Sequence, residues 1–129
     1  MNLRNIFFIT FSFLLFMFAC EDKVDPHYEI IFEPTELQFG KVEANQIMSQ
    51  KVRIKNTDNS TGAFTGEINI MDSPKFTMDF NGVLTLQKNE SKEIHITFRP
   101  SSVESYTAKL TVSNEESFAE MYINGEGVS

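Results

Sequence analysis

From Tyr28 onward apolar and polar residues alternate, and turn-forming residues interrupt the alternation every eight to twelve positions. A period of two is the signature of a strand with one buried face. "QKVRIKN" sets Val52 and Ile54 against Lys51, Arg53 and Lys55, and "EINIM" buries Ile68 and Ile70. "KEIHITFRP" directs Ile94, Ile96 and Phe98 inward, "YTAKLTVSN" directs Tyr106, Ala108, Leu110 and Val112, and "AEMYING" adds Met121 and Ile123. These rows predict the core, and no helical period of useful length competes with them.

The punctuation fits the same picture. Asn45, Asn59 and Asn89 lie between apolar runs, where a positive φ is often needed and Asn tolerates it. Pro34 and Pro100 bound strand edges, and Pro74 breaks "MDSPKF", because proline cannot donate to a ladder. Seven to eight short strands in about 100 residues predict an all-β fold, an immunoglobulin-like antiparallel β-sandwich. With one cysteine and no tryptophan, apolar packing alone has to hold its sheets together.

The first 19 residues follow another pattern. Apolar residues run from Ile6 to Ala19, broken only by Thr10 and Ser12, which is 14 positions where a membrane-spanning helix needs roughly 20. Arg4 precedes the run and the small Ala19 closes it, the arrangement of an export signal. Met17-Phe18-Ala19-Cys20 resembles the lipobox of bacterial lipoproteins, and the resemblance implies a lipidated Cys20 that becomes the new N-terminus. An ordinary signal peptide, or an uncleaved anchor with an incidental cysteine, is the alternative reading. The expected organisation is a signal peptide over 1–19, lipidated Cys20 and a tether over 20–27, and one domain over 28–129.

Charge narrows the partners. Without residues 1–19 the chain keeps 10 of its 11 basic residues and all 18 acidic ones, a formal charge of −8 (10 less 18). Nucleic acid and anionic lipid surfaces are poor partners for such a domain.

"LQFGKVEANQ", "VRIKNTD", "LQKNESKEIHITFRP", "YTAKLTVSN" and "INGEG" occur in the order and approximate spacing of the ASH domains. These are the Hydin-like immunoglobulin-like modules whose bacterial relatives are called choice-of-anchor D domains. The resemblance covers roughly Ile31 to Val128. It implies structural roles: a tight bend at Gly40 after buried Phe39, backbone bonding by Asn56 across a loop, and close strand approach at Gly125 and Gly127.

Candidate chemistry is sparse. His27 and His95 have no second His or Cys at ligand spacing, and no calcium-loop motif is present, so no metal or other cofactor is expected. Ser101, His95 and Asp79 could be drawn as a triad, but no nucleophile motif frames the serine, and no enzyme is expected. Tyr28, Tyr106 and Tyr122 serve as readily in core or rim as in a sugar platform. Lys51, Arg53 and Lys55 form a basic outward stripe that could dock an acidic partner or simply keep the strand soluble. The expectation is a non-enzymatic binding or scaffold module, held by lipidated Cys20 on a bacterial envelope membrane, periplasmic or surface-facing, where it meets another envelope or extracellular component. The alternative is an inhibitor or immunity lipoprotein that blocks a toxin or hydrolase.

Overall fold

The computed structural model describes residues 24–129. The expected signal peptide and Cys20 lie outside the described residues. Among these residues nine strands form: β1 (Ile30–Glu33), β2 (Leu37–Glu43), β3 (Met48–Asn56), β4 (Phe64–Met71), β5 (Phe76–Met78), β6 (Val83–Leu86), β7 (Ser91–Phe98), β8 (Ser105–Ser113) and β9 (Phe118–Val128). They make two sheets, a four-stranded sheet in the order β1-β3-β7-β5 and a five-stranded sheet in the order β2-β9-β8-β4-β6. Their inner faces meet in one core that includes Val52, Ile54, Phe64, Ile94, Ile96, Phe98, Leu110, Met121 and Ile123.

The alternation read from the sequence sets which side chains are inside, and the β-sandwich is the fold that results. Two details differ from expectation. There are nine strands rather than seven or eight, because the chain changes sheets at Pro34, giving β1 and β2, and because three residues suffice for β5. The pairing is not wholly antiparallel, since β2 runs parallel to β9. That follows from β2 being delivered by a switch between sheets rather than by a hairpin.

Turn chemistry explains most of the corners. Asn45 (φ 69°) and Asn89 (φ 67°) take the left-handed conformation, as expected, while Asn59 does not. Asn59 instead donates its side-chain amide to Glu29 at 2.8 Å, and Asp72 (φ 83°) supplies the left-handed residue after β4. Gly40 (φ 70°) sits where the β2–β9 register shifts between Gln38 and Lys41, so the expected bend is a bulge within the strand. In the β8–β9 hairpin, Asn114 Oδ1 accepts from the amides of Glu116 and Ser117, each at 2.9 Å.

The two ends of the sandwich are closed differently. At one end Asn56 is fully buried and donates Nδ2 to the carbonyls of Gly62 and Leu86, both at 3.0 Å. Around it, the Glu29 amide donates to Ser60 Oγ at 2.8 Å, and His27 exchanges bonds with Thr61 through its amide and its carbonyl. At the other end Phe76 and Phe98 stack at 4.6 Å with 12° between planes, Phe39 leans on both, and Tyr106 meets Phe98 edge-on at 5.7 Å. A Cβ added at Gly125 would press into the Phe98 ring, and one at Gly127 into the Ser102 carbonyl, so both glycines are set by close approach.

Candidate functional site

Strand alternation that sends Val52, Ile54, Ile94, Ile96, Phe76 and Phe98 inward sends Lys51, Arg53, Lys55, His95, Thr97, Arg99, Lys75 and Thr77 outward. Register then stacks them in rows across the four-stranded sheet. Lys51 stands opposite His95, Arg53 opposite Glu93 on one side and Glu33 on the other, and Lys55 opposite Ser91. One end carries a hydroxyl row, Ser49, Thr97 and Thr77, with Ser49 Oγ 2.8 Å from Thr97 Oγ1. Beyond that row lie Ile47, Arg99 and Lys75, and the amide of Arg99 donates to the Lys75 carbonyl at 2.9 Å.

The expected basic stripe is therefore real as a geometric feature, and it is partly neutralised. Lys51 Nζ lies 3.8 Å from Glu93 Oε2, and Arg53 Nη1 lies 3.8 Å from Glu33 Oε1. All four side chains are about half exposed or more, so these pairs contribute at most about 1 kcal/mol each and open easily to a competing anion. Lys55 has no carboxylate within 4 Å among the described residues. Lys75 and Arg99 are in the same position, at the rim of a hollow of about 450 Å³ whose walls also include Ile47, Pro74, Thr77 and Thr97.

The sequence reading missed Lys75 and Arg99 as members of this face. Arg99 could have been found by extending the alternation one step past Phe98. Lys75 could not, because only the pairing of β5 with β7 brings it there.

His95 and Asp79 do come together. Asp79 Oδ1 accepts the His95 amide at 2.9 Å, and Asp79 Oδ2 lies 3.0 Å from His95 Nδ1. The amide of His95, with its ring behind it, holds the Asp79 carboxyl below the usual carboxylate range. Ser101 does not join them. It lies past the end of β7, where its amide donates to the Tyr106 hydroxyl at 3.3 Å. Tyr106 is tied up in that corner, receiving the amides of Ser101 and Ser102 and meeting Glu104, whose carboxyl is lowered first by the Ser102 hydroxyl. Tyr28 packs edge-on against Phe64 at 5.5 Å, and Tyr122 lies on the outside of the five-stranded sheet under Lys109 at 5.8 Å. The three tyrosines therefore share no surface. Among the described residues no three His, Cys, Asp or Glu side chains converge as metal ligands.

Comparison with known proteins agrees with this architecture. The ASH/PapD-like domain of human CEP192 superposes with a TM-score of 0.62 at 11% identity, covering 85% of this chain and 96% of that one. WR4, a C. elegans MSP family member, gives 0.54 at 9%, covering 79% and 100%. The Vibrio cholerae protease VesB gives 0.56 at 14%, covering 77% of this chain but 31% of the protease. At such identities these likenesses speak for the fold alone. The sequence matches no curated protein. It does match the family model of Cep192 domain 4 over residues 27–124, which spans most of the chain and bears out the ASH resemblance seen in its motifs. By that match the chain belongs to the Cep192 domain 4 family.

Proposed function

We propose that this protein is a non-enzymatic binding or scaffold module, lipid-anchored at Cys20, that engages another envelope or extracellular protein through the outer face of its four-stranded sheet. The observation that carries the choice of face is its charge. Lys51, Arg53, Lys55, Lys75 and Arg99 face three carboxylates there, Glu33, Asp79 and Glu93. The other five basic residues after Cys20 are set against fifteen acidic ones (18 less 3). A positive face on an acidic domain attracts an acidic partner while the remainder repels it, which fixes orientation as well as encounter.

The non-enzymatic reading is supported by the open setting of the His95–Asp79 pair. Both side chains are at least half exposed, with Lys51 across the sheet from His95, and with Glu93 and Thr97 beside it. A general base works behind a wall that excludes water, and an open sheet face supplies none.

The test is crosslinking in the native cells followed by identification of what is attached to the tagged protein. Three variants are compared: the parent, Cys20→Ala, and the triple charge reversal Lys51→Glu, Arg53→Glu, Lys55→Glu. A single partner lost in both variants supports the proposal. A partner retained by the triple variant refutes the choice of face, and one retained in full by Cys20→Ala refutes the role of the anchor.

A further inference from the structure

The hollow at the β5 end of the basic face is built for an anion. Its rim holds two cations without a carboxylate within 4 Å among the described residues, though the charge of Lys75 reaches as far as Glu104. Thr77 and Thr97 supply hydroxyls between them, and the Ser49 hydroxyl lies behind Thr97. Ile47, 64% exposed, and Pro74 supply an apolar lip. A guanidinium offers a planar fork that fits a carboxylate, an ammonium adds a point charge, and hydroxyls adjust their donors to suit. The floor is rigid: Phe76 and Phe98, whose sequence neighbours Lys75, Thr77, Thr97 and Arg99 line the hollow, stack on the inner side of the same strands.

We infer that this hollow seats a glutamate or aspartate side chain of an extended acidic segment of a protein partner. The inference rests on the proposed docking face and deepens it. On a sheet face successive rows are two residues, or about 6.7 Å, apart along the strands. Lys55 stands four rows from the Ile47–Arg99–Lys75 row, so the two unpaired ends of the face are about 27 Å apart. An extended segment of about nine residues covers that span and points alternate side chains at the sheet. Its carboxylates would meet Lys75 and Arg99 first, then compete with Glu93 and Glu33 for Lys51 and Arg53, and end at Lys55.

The probe is a fluorescein-labelled nonapeptide with glutamate at alternate positions, titrated by anisotropy against the full chain in detergent. Saturable binding is expected, weakened roughly ten-fold or more by Lys75→Glu with Arg99→Glu and by the glutamine version of the peptide. Lys75→Gln with Arg99→Gln should weaken it less, and Lys41→Glu with Lys109→Glu, on the five-stranded sheet, should leave it within about two-fold. Melting curves of each variant confirm that it is folded. Equal binding of the glutamine peptide, unchanged binding by the Lys75/Arg99 variant, or no saturable binding overturns the inference. So does inorganic phosphate binding the hollow as tightly as the peptide, which would make the ligand a phosphoryl group. If the Lys51/Arg53/Lys55 reversal abolishes binding and the Lys75/Arg99 reversal does not, the hollow fails while the docking face stands. If neither matters, both fail.

Discussion

The two ends of the sandwich do the same task with opposite chemistry. At the Asn56 end the chain is closed by hydrogen bonds, at the Phe98 end by rings and by glycines that leave those rings room. Apolar closure tolerates neither a void nor an added atom. Polar closure depends on buried groups keeping their partners, and at Asn56 it rests on Nδ2, because Oδ1 is buried without a partner among the described residues. The lining of the candidate anion hollow alternates with the aromatic rings, so one end of the proposed docking face rests on packing that is sensitive to volume, while Lys55 at its other end adjoins the buried Asn56.

Mutation should separate the ends by kind of failure. Phe98→Ala removes the ring that touches Phe39, Phe76 and Tyr106, and is expected to cost about 3–5 kcal/mol by urea denaturation. A loss below about 1 kcal/mol would mean the ring is not the keystone its contacts suggest. Asn56→Ala strands the carbonyls of Gly62 and Leu86, for an expected loss of about 2–4 kcal/mol. Asn56→Asp should be worse than Asn56→Ala, because a buried carboxylate would face those two carbonyls. The comparison breaks if aspartate proves the milder change.

Gly125→Ala is expected to cost about 1–3 kcal/mol by overpacking against Phe98. In a Phe98→Leu background that cost should shrink, and a double-mutant cycle without coupling would disconnect the glycine from the ring. The smallest effect is titration. The hydroxyl of Thr57, then the amide of Asn59, hold the Glu29 carboxyl below its ordinary value. A carboxylate depressed in the folded state contributes fully above its unfolded value, and that contribution is lost as pH falls through the folded one. Acid should therefore lower the protection factors of the Thr57 and Ser60 amides, taken relative to the slower intrinsic exchange at low pH, before it lowers those of Phe76 and Phe98. Simultaneous loosening of both ends would show that Glu29 carries no local stability.

How much of this was legible depended on whether the information was local. Alternation exposed β3, β4, β7, β8 and β9, since each has enough residues to show a period, and it exposed the Lys51, Arg53, Lys55 stripe. Asn56, Gly125 and Gly127 were legible as special positions from their resemblance to a family pattern. Three residues of β5 offer no period to read, and with β5 unseen Lys75 could not be placed beside Arg99. Strand direction was equally hidden, because a side-chain period of two is the same whichever way the neighbour runs. Asn59 and Asp72 show the limit of turn rules: both residue types accept a positive φ, yet Asp72 takes it and Asn59 does not, its side chain being bonded instead to Glu29, 30 positions away.

The parallel pairing of β2 with β9 has a consequence in time. Leu37 is paired with Ile123, 86 positions further on (123 less 37), and as an edge strand β2 has β9 as its single neighbour within the sheet. A chain still emerging from the ribosome therefore carries β2 as a strand with nothing to pair with until nearly all the rest has been made. The hairpin of β8 and β9 can form locally, but the five-stranded sheet closes only when its earliest strand meets its latest, a loop whose closure is entropically slow. Until then Leu37, Phe39 and Val42, buried in the finished domain, stay open to the wrong partner. The order of synthesis makes β2 the segment a chaperone would need to shield the longest.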